Sequence, residues 1–392
     1  MSKRRDTRLI HAGAPDFHRR TSPVNIPVVR TSTLRFESTQ AYDEIHQRRA
    51  AGEQLSSYGR HGTETHRALE HAISTLEGGY QTFLTPSGLS AISLVFFALL
   101  SPGDHALVSD SVYSPIRRLD RELLQRMGIA LTYFSPGKDD IDSLVRPNTR
   151  LLYVESPGSL LYEVLDLPKL AEAARRHQLI VAADNTWGSG YLYQPLQLGA
   201  HVSVLAATKY ISGHSDLMQG AVVAGEHALA EKIARAYDNF GLTIGADDAY
   251  LSLRGIRTLP VRLAQHQQNA LRVAGFLQDR REVQRVFYPA LPSDPGHALW
   301  QRDFSGANGL LSIALPDGEP ERARAFVDAL GLFAIGASWG GYESLVQIAA
   351  PERLREHSYL SGSHPIVRLH VGLEDPLDLI DDLSHALQSA YR

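Results

Sequence analysis

Between positions 63 and about 254, short apolar runs alternate with stretches in which apolar residues recur every three or four positions. Compact apolar runs bounded by Gly, Pro, Asp or Ser predict strands at 81–85, 105–109, 131–134, 151–155, 179–184, 202–207 and 220–224. Helical spacing predicts helices at 87–100, 115–127, 167–177 and 228–237. HRALEHAISTLEGG at 66–79 reads as one more, stopped by Gly78 and Gly79. Continuously apolar strands separated by helices predict an α/β fold with a mostly parallel, seven-stranded sheet covered on both faces. Before position 60 periodic runs are few, and Pro23, Pro27 and the polar stretch 48–57 predict an extended arm. After 255 an amphipathic helix at 259–280 precedes a Pro/Gly-rich stretch at 288–297. Strands at 309–315 and 366–370 and helices at 319–330 and the C-terminus follow. The expected organisation is an arm over 1–60, a large domain over 61–254 and a smaller α/β domain over 255–392.

Composition narrows the function classes. The 39 basic and 43 acidic side chains leave a net charge of −4, which argues against a nucleic-acid partner. The chain has no cysteine, so disulfides, thiolate metal sites and cysteine nucleophiles are excluded together. The 17 histidines show no HExxH spacing, and no metal is expected. The apolar run at 89–100 is too short to span a bilayer and carries Ser90 and Ser93, so no membrane is expected. The first ten residues are basic but lack the apolar core of a signal peptide, and KRR at 3–5 reads as a solvated tail. A soluble, cytoplasmic protein is the expectation.

Candidate chemistry clusters at strand ends. In VSVLAATKYISG at 202–213, Lys209 follows an apolar strand in a segment poor in other charges. Most lysines are exposed charges, but a sheltered one suits Schiff-base chemistry, because desolvation disfavours its ammonium form. Asp184 ends the apolar strand of LIVAADNTW, where ligands gather in open parallel sheets; taken alone it also fits a helix N-cap. A lysine and a carboxylate at neighbouring strand ends match the needs of pyridoxal phosphate. The lysine bonds to the aldehyde, and the acid keeps the pyridine nitrogen protonated. In TPSGLSA at 85–91 the backbone N–H groups of Gly88 and Leu89 could meet a phosphate at a helix start, although such a turn is common without any ligand. The GxGxxG and GxxxxGK[ST] patterns are missing there. Tyr113 could stack on a ring or simply pack, and Arg60 could meet a phosphate or remain a surface charge. Arg368 lies inside an apolar strand and needs an anionic partner, which favours a substrate carboxylate. His214 reads equally as a site residue or a structural histidine.

Together these segments resemble the cysteine and methionine metabolism family of pyridoxal-phosphate enzymes, of fold type I. The matching pieces are YGRHGT at 58–63, PSG at 86–88, ESPGS at 155–159, DNTW at 184–187, ATKYISGHSD at 207–216, RGIRTLPVRL at 254–263 and SWGGYESL at 338–345. SWGGYESL and ESPGS are similar to the β-eliminating branch, whereas γ-acting relatives commonly read ESLGG at the first of these. His61 departs from the family pattern, which carries a second arginine there.

The resemblance implies β-elimination of the thioether amino acid L-cystathionine to homocysteine, pyruvate and ammonia, with pyridoxal 5'-phosphate as cofactor. The alternatives are γ-elimination or replacement, and a broad cysteine-S-conjugate β-lyase activity. It also implies roles: Lys209, Asp184 and Tyr113 as catalytic and ring-contacting residues, and Ser87, Gly88, Leu89 and Thr208 at the phosphate. Tyr58 and Arg60 would join them from a neighbouring subunit, with Arg368, Ser338, Trp339 and Tyr58 at the substrate. The implied assembly is a homotetramer of dimers that share active sites.

Overall fold

A computed structural model of the chain describes residues 3–14, 21–316, 320–349 and 364–391. The seven apolar runs form strands β1 (Gln81–Thr85), β2 (His105–Ser109), β3 (Ala130–Phe134), β4 (Thr149–Glu155), β5 (Ile180–Asp184), β6 (Val202–Leu205) and β7 (Gly220–Ala224). They pair in one sheet in the order β1-β7-β6-β5-β4-β2-β3. Only β7 runs against its neighbours; the other adjacent pairs are parallel. β1, β2 and β7 are buried at every position, as expected of strands covered on both faces.

Helices Glu64–Glu77, Gly88–Leu99, Leu167–Arg176 and His227–Phe240 lie where the periodicity places them. The first is stopped by Gly78 in the left-handed conformation. It buries Leu69, Ile73 and Leu76, each contributing about 1.5–3 kcal/mol relative to exposure. The 115–127 segment is helical but uneven. It is α over Pro115–Leu119, widens to a π turn over Asp120–Leu124 and tightens to 3₁₀ over Gln125–Met127.

A second sheet joins β8 (Arg285–Phe287), β9 (Leu310–Ala314), β10 (Ala334–Ile335), β11 (Leu345–Ile348) and β12 (Ile366–His370) in the order β10-β11-β12-β9-β8. The long helix Leu259–Gln278 packs behind it, and the 319–330 reading becomes a helix over Pro320–Asp328, with position 319 outside the described residues.

The arm differs from the expectation of a merely extended segment. It holds helices Arg5–His11 and Thr39–Ala50, and Leu9 and Ala12 belong to the main hydrophobic core. Arg5 is not solvated either. It donates to Gly190 O, and its guanidinium lies 4.6 Å from the Tyr191 ring centroid, while Tyr191 Oη donates to Asp6 at 3.0 Å. No helix among the described residues is long and apolar enough to cross a membrane.

Candidate active site

β1 is antiparallel to β7, which is antiparallel to β6, so β1 runs in the same direction as the parallel strands. The carboxyl ends of β1, β2, β4, β5 and β6 therefore face one edge. They deliver Ser87, Tyr113, Glu155, Asp184 and Lys209 there from five separate connections.

Asp184 is buried, and its donors are neutral. Thr186 donates to Oδ1 from its backbone N at 3.0 Å and from Oγ1 at 2.6 Å, and Tyr153 Oη donates to Oδ2 at 3.4 Å. Burial raises its proton affinity, and these bonds only partly oppose that. No basic side chain among the described residues pairs with it. Glu155, in register with Asp184 across β4 and β5, is half-buried. Desolvation and the Asp184 charge hold its carboxyl well above the usual range. Its Oε2 accepts from Tyr113 N at 2.6 Å. No local pattern in the sequence points to the Glu155–Tyr113 link, because its partners lie 42 positions apart, after β2 and at the end of β4.

Lys209 sits in a tight turn after β6, its N donating to Ala206 O at 3.0 Å. Nζ donates to Ser338 Oγ at 2.5 Å and lies 5.3 Å from the Trp339 ring centroid. Burial, with Arg368 adding a second positive charge, lowers its pKa to about 8. Arg368 Nη2 donates to Ser338 O at 2.8 Å. Gly340, at φ +91°, presses on the lysine backbone; a Cβ there would lie 2.9 Å from Lys209 C. Four residues singled out in the sequence, Lys209, Ser338, Trp339 and Arg368, thus meet, although Lys209 and Ser338 are 129 positions apart.

The turn after β1 starts the 88–99 helix. Ser87 Oγ accepts from Ser90 N at 3.1 Å and Ser87 O accepts from Ala91 N, so the N–H groups of Gly88 and Leu89 stay open toward the edge. Only glycine fits at 88, since a Cβ would lie 2.6 Å from Ala206 Cβ, in the turn that carries Lys209. Thr208 Oγ1 is already engaged, donating to Gln219 O at 3.0 Å and accepting from Gln219 N at 2.7 Å.

Tyr113 keeps 47% of its surface open. Tyr58 and Arg60 share no hydrogen bond, ring contact or ion pair with Lys209, Asp184 or the 87–89 turn; Tyr58 is exposed and edge-on to His61. His61 bonds to Ser57 Oγ through Nδ1 at 2.9 Å, and burial with Arg49 nearby lowers its pKa to about 4. The position therefore carries no charge near neutrality. His214 is exposed, its Nδ1 bonding only to Ser212 O at 2.6 Å. Among the described residues no group of three or more His, Cys, Asp or Glu could hold a metal ion.

A buried carboxylate with neutral donors, a lysine of lowered proton affinity and open N–H groups at a helix start all fit a phosphorylated pyridine aldehyde. Fold and site together define a fold type I pyridoxal-phosphate enzyme. A solved structure of cystathionine gamma synthase from Xanthomonas oryzae pv. oryzae, in complex with aminoacrylate and cysteine, matches with a TM-score of 0.88 at 33% identity over 100% of this chain and 99% of that one. The chain belongs to the Cys/Met metabolism PLP-dependent enzyme family, which matches residues 6–388, and its cofactor is pyridoxal 5'-phosphate. It is 54% identical to a cystathionine beta-lyase of Bordetella avium over 99% of this chain and 98% of that one. It is 39% identical to cystathionine beta-lyase MetC of Escherichia coli K12 over 97% of both.

Proposed function

We propose that this chain cleaves L-cystathionine by β-elimination, releasing L-homocysteine, pyruvate and ammonia, as a carbon–sulfur lyase of methionine biosynthesis. The observation that carries the reading is Lys209 Nζ, held 2.5 Å from Ser338 Oγ in the SWGGYESL loop beside Arg368. The preference for β over γ chemistry draws support from 54% identity to the Bordetella β-lyase against 33% to the γ-synthase structure.

Bound pyridoxal 5'-phosphate would supply an aldehyde for the reacting amines and a ring that accepts electrons from Cα. In this reading Arg368 takes the substrate α-carboxylate and turns the Cα–H bond toward Lys209, whose Nζ accepts that proton. Ser338 Oγ holds Nζ between transfers, and Trp339 shields it from water. Asp184 would hold the ring-nitrogen proton, and Tyr113 would cover a face of the ring. Ser87, Gly88 and Leu89 would bind the phosphate, and Thr208 would join them by turning its hydroxyl away from Gln219 O, with Tyr58 and Arg60 of a neighbouring subunit completing the set and Tyr58 reaching the substrate as well. The arm over 1–60 would make that reach in a cytoplasmic homotetramer, leaving 61–254 to the cofactor and 255–392 to the substrate carboxylate. The exposure of Tyr58, and its lack of any link to the same chain's Lys209, support this arrangement.

Incubation with L-cystathionine is the direct test. Pyruvate and homocysteine in equal amounts are expected, whereas 2-oxobutyrate and cysteine would reject β-elimination. Comparison of kcat/KM across cysteine S-conjugates separates a cystathionine enzyme from a broad thioether lyase.

A pH dependence also follows. Capture of the cofactor aldehyde requires neutral Lys209, and a lysine lowered to about 8 is largely protonated at pH 6. The second-order rate at which cofactor-free protein takes up pyridoxal 5'-phosphate should rise about tenfold per unit up to about pH 8 and then level. A midpoint near the ordinary lysine value would contradict the lowered proton affinity.

A further inference from the structure

The loop between β10 and β11 carries Ser338 and Trp339, and it reverses sharply, with Ser338 at φ +81° and Gly340 at φ +91°. A left-handed serine is an unfavourable local choice, so something outside the loop must hold it there. β12 provides two grips. Arg368 and His370, two positions apart, project from the same face of that strand. Arg368 Nη2 donates to Ser338 O at 2.8 Å. His370 Nε2 accepts from Gly340 N at 3.1 Å, and its Nδ1 donates to Glu343 O at 3.0 Å. The two side chains hold the loop on either side of Trp339.

His370 is fully buried, and its surroundings keep the imidazole neutral, with one donor and one acceptor nitrogen. The His266 and Tyr210 rings lie 5.2 and 5.9 Å from it. Tyr210 also stands 5.5 Å from Trp339 and directly follows Lys209, so imidazole, loop and lysine turn form one packed unit.

We propose that His370 is a positioning residue. By accepting the Gly340 N–H it sets Ser338 Oγ and Trp339 against Lys209 Nζ. The proposal rests on the reading of Lys209 as the proton-transferring amine.

Three substitutions divide the two bonds. In His370→Gln the amide oxygen can reach the Nε2 position and keep the Gly340 bond. In His370→Asn the amide can replace only Nδ1, and His370→Leu keeps neither. For the holoenzymes acting on L-cystathionine, His370→Gln should stay within about threefold of wild-type kcat, while Asn and Leu should lose about tenfold or more in kcat with a smaller change in KM. The second readout is Trp339 emission in the cofactor-free full chain, with Trp339→Phe as blank. It should match wild type in Gln and shift in Asn and Leu. Equal losses in all three variants, unchanged kcat and emission in a folded Leu variant, or loss in Gln with retention in Asn would each overturn the proposal. If wild type itself forms no pyruvate, the reaction reading fails, and the emission series still decides the role of His370.

Discussion

Lys209→Ala should lose the visible absorbance of lysine-bound cofactor on dialysis and lower turnover by about a thousandfold or more. The size follows from the double duty proposed for the side chain, in which covalent anchoring and proton transfer at Cα both depend on one nitrogen. Ser338, Trp339 and Arg368 all converge on that nitrogen or on the loop that meets it, and none supplies a neutral amine. The fold should survive the change, because truncation removes a desolvated charge rather than part of the hydrophobic core. Borohydride reduction of the holoenzyme followed by peptide mapping locates the labelled residue. A label found elsewhere, or a variant that keeps its absorbance and activity, would sink the assignment.

Asp184→Asn is the second large effect. An amide cannot hold a proton on the ring nitrogen, so electron withdrawal from Cα should weaken and kcat should fall by about a hundredfold or more. Stability should move the other way. The Asp184 carboxylate is buried among neutral donors, and burial raises its proton affinity above that of the unfolded chain. Ionisation at neutral pH therefore costs the cofactor-free fold free energy, and the amide avoids that cost. The thermal midpoint of cofactor-free Asp184→Asn should equal or exceed wild type at pH 7. The difference should vanish at a pH low enough for Asp184 to be protonated. Activity that falls together with cofactor-free stability would show that Asp184 is a structural residue instead.

The large sheet was legible because its strands are covered on both faces and are therefore apolar along their whole length. The Thr39–Ala50 helix was not, because it buries none of its residues and starts from a Ser38 cap rather than an apolar stripe. Ala246–Ile256 was also missed; it lies just ahead of the long helix at 259 and opens on Asp247 and Asp248. β10 is two residues long and exposed, and β11 is four long and only partly buried, too little for a period-two pattern to register.

Within the site, Lys209, Asp184 and Arg368 were visible because each is a charge set in an apolar segment. Glu155 and His370 meet partners that no local pattern connects to them: the Tyr113 N–H 42 positions away, and a glycine N–H 30 positions away. Arg5 was misread for the same reason, since its partners are a carbonyl and a ring 185 or so positions downstream.

That last contact bears on the order of events during synthesis. The 5–11 helix leaves the ribosome well ahead of Gly190 and Tyr191, which lie about 185 residues further along the chain. At about 5–20 residues per second Arg5 waits roughly ten to forty seconds for these two partners. With seven residues the 5–11 segment is too short to be a stable helix alone, so before then it depends on the Glu64–Glu77 helix, against which Leu9 packs, and it closes over the loop following Asp184 only once the parallel strands have assembled. The contact of Arg5 with Gly190 and Tyr191 is then made long after Arg5 itself.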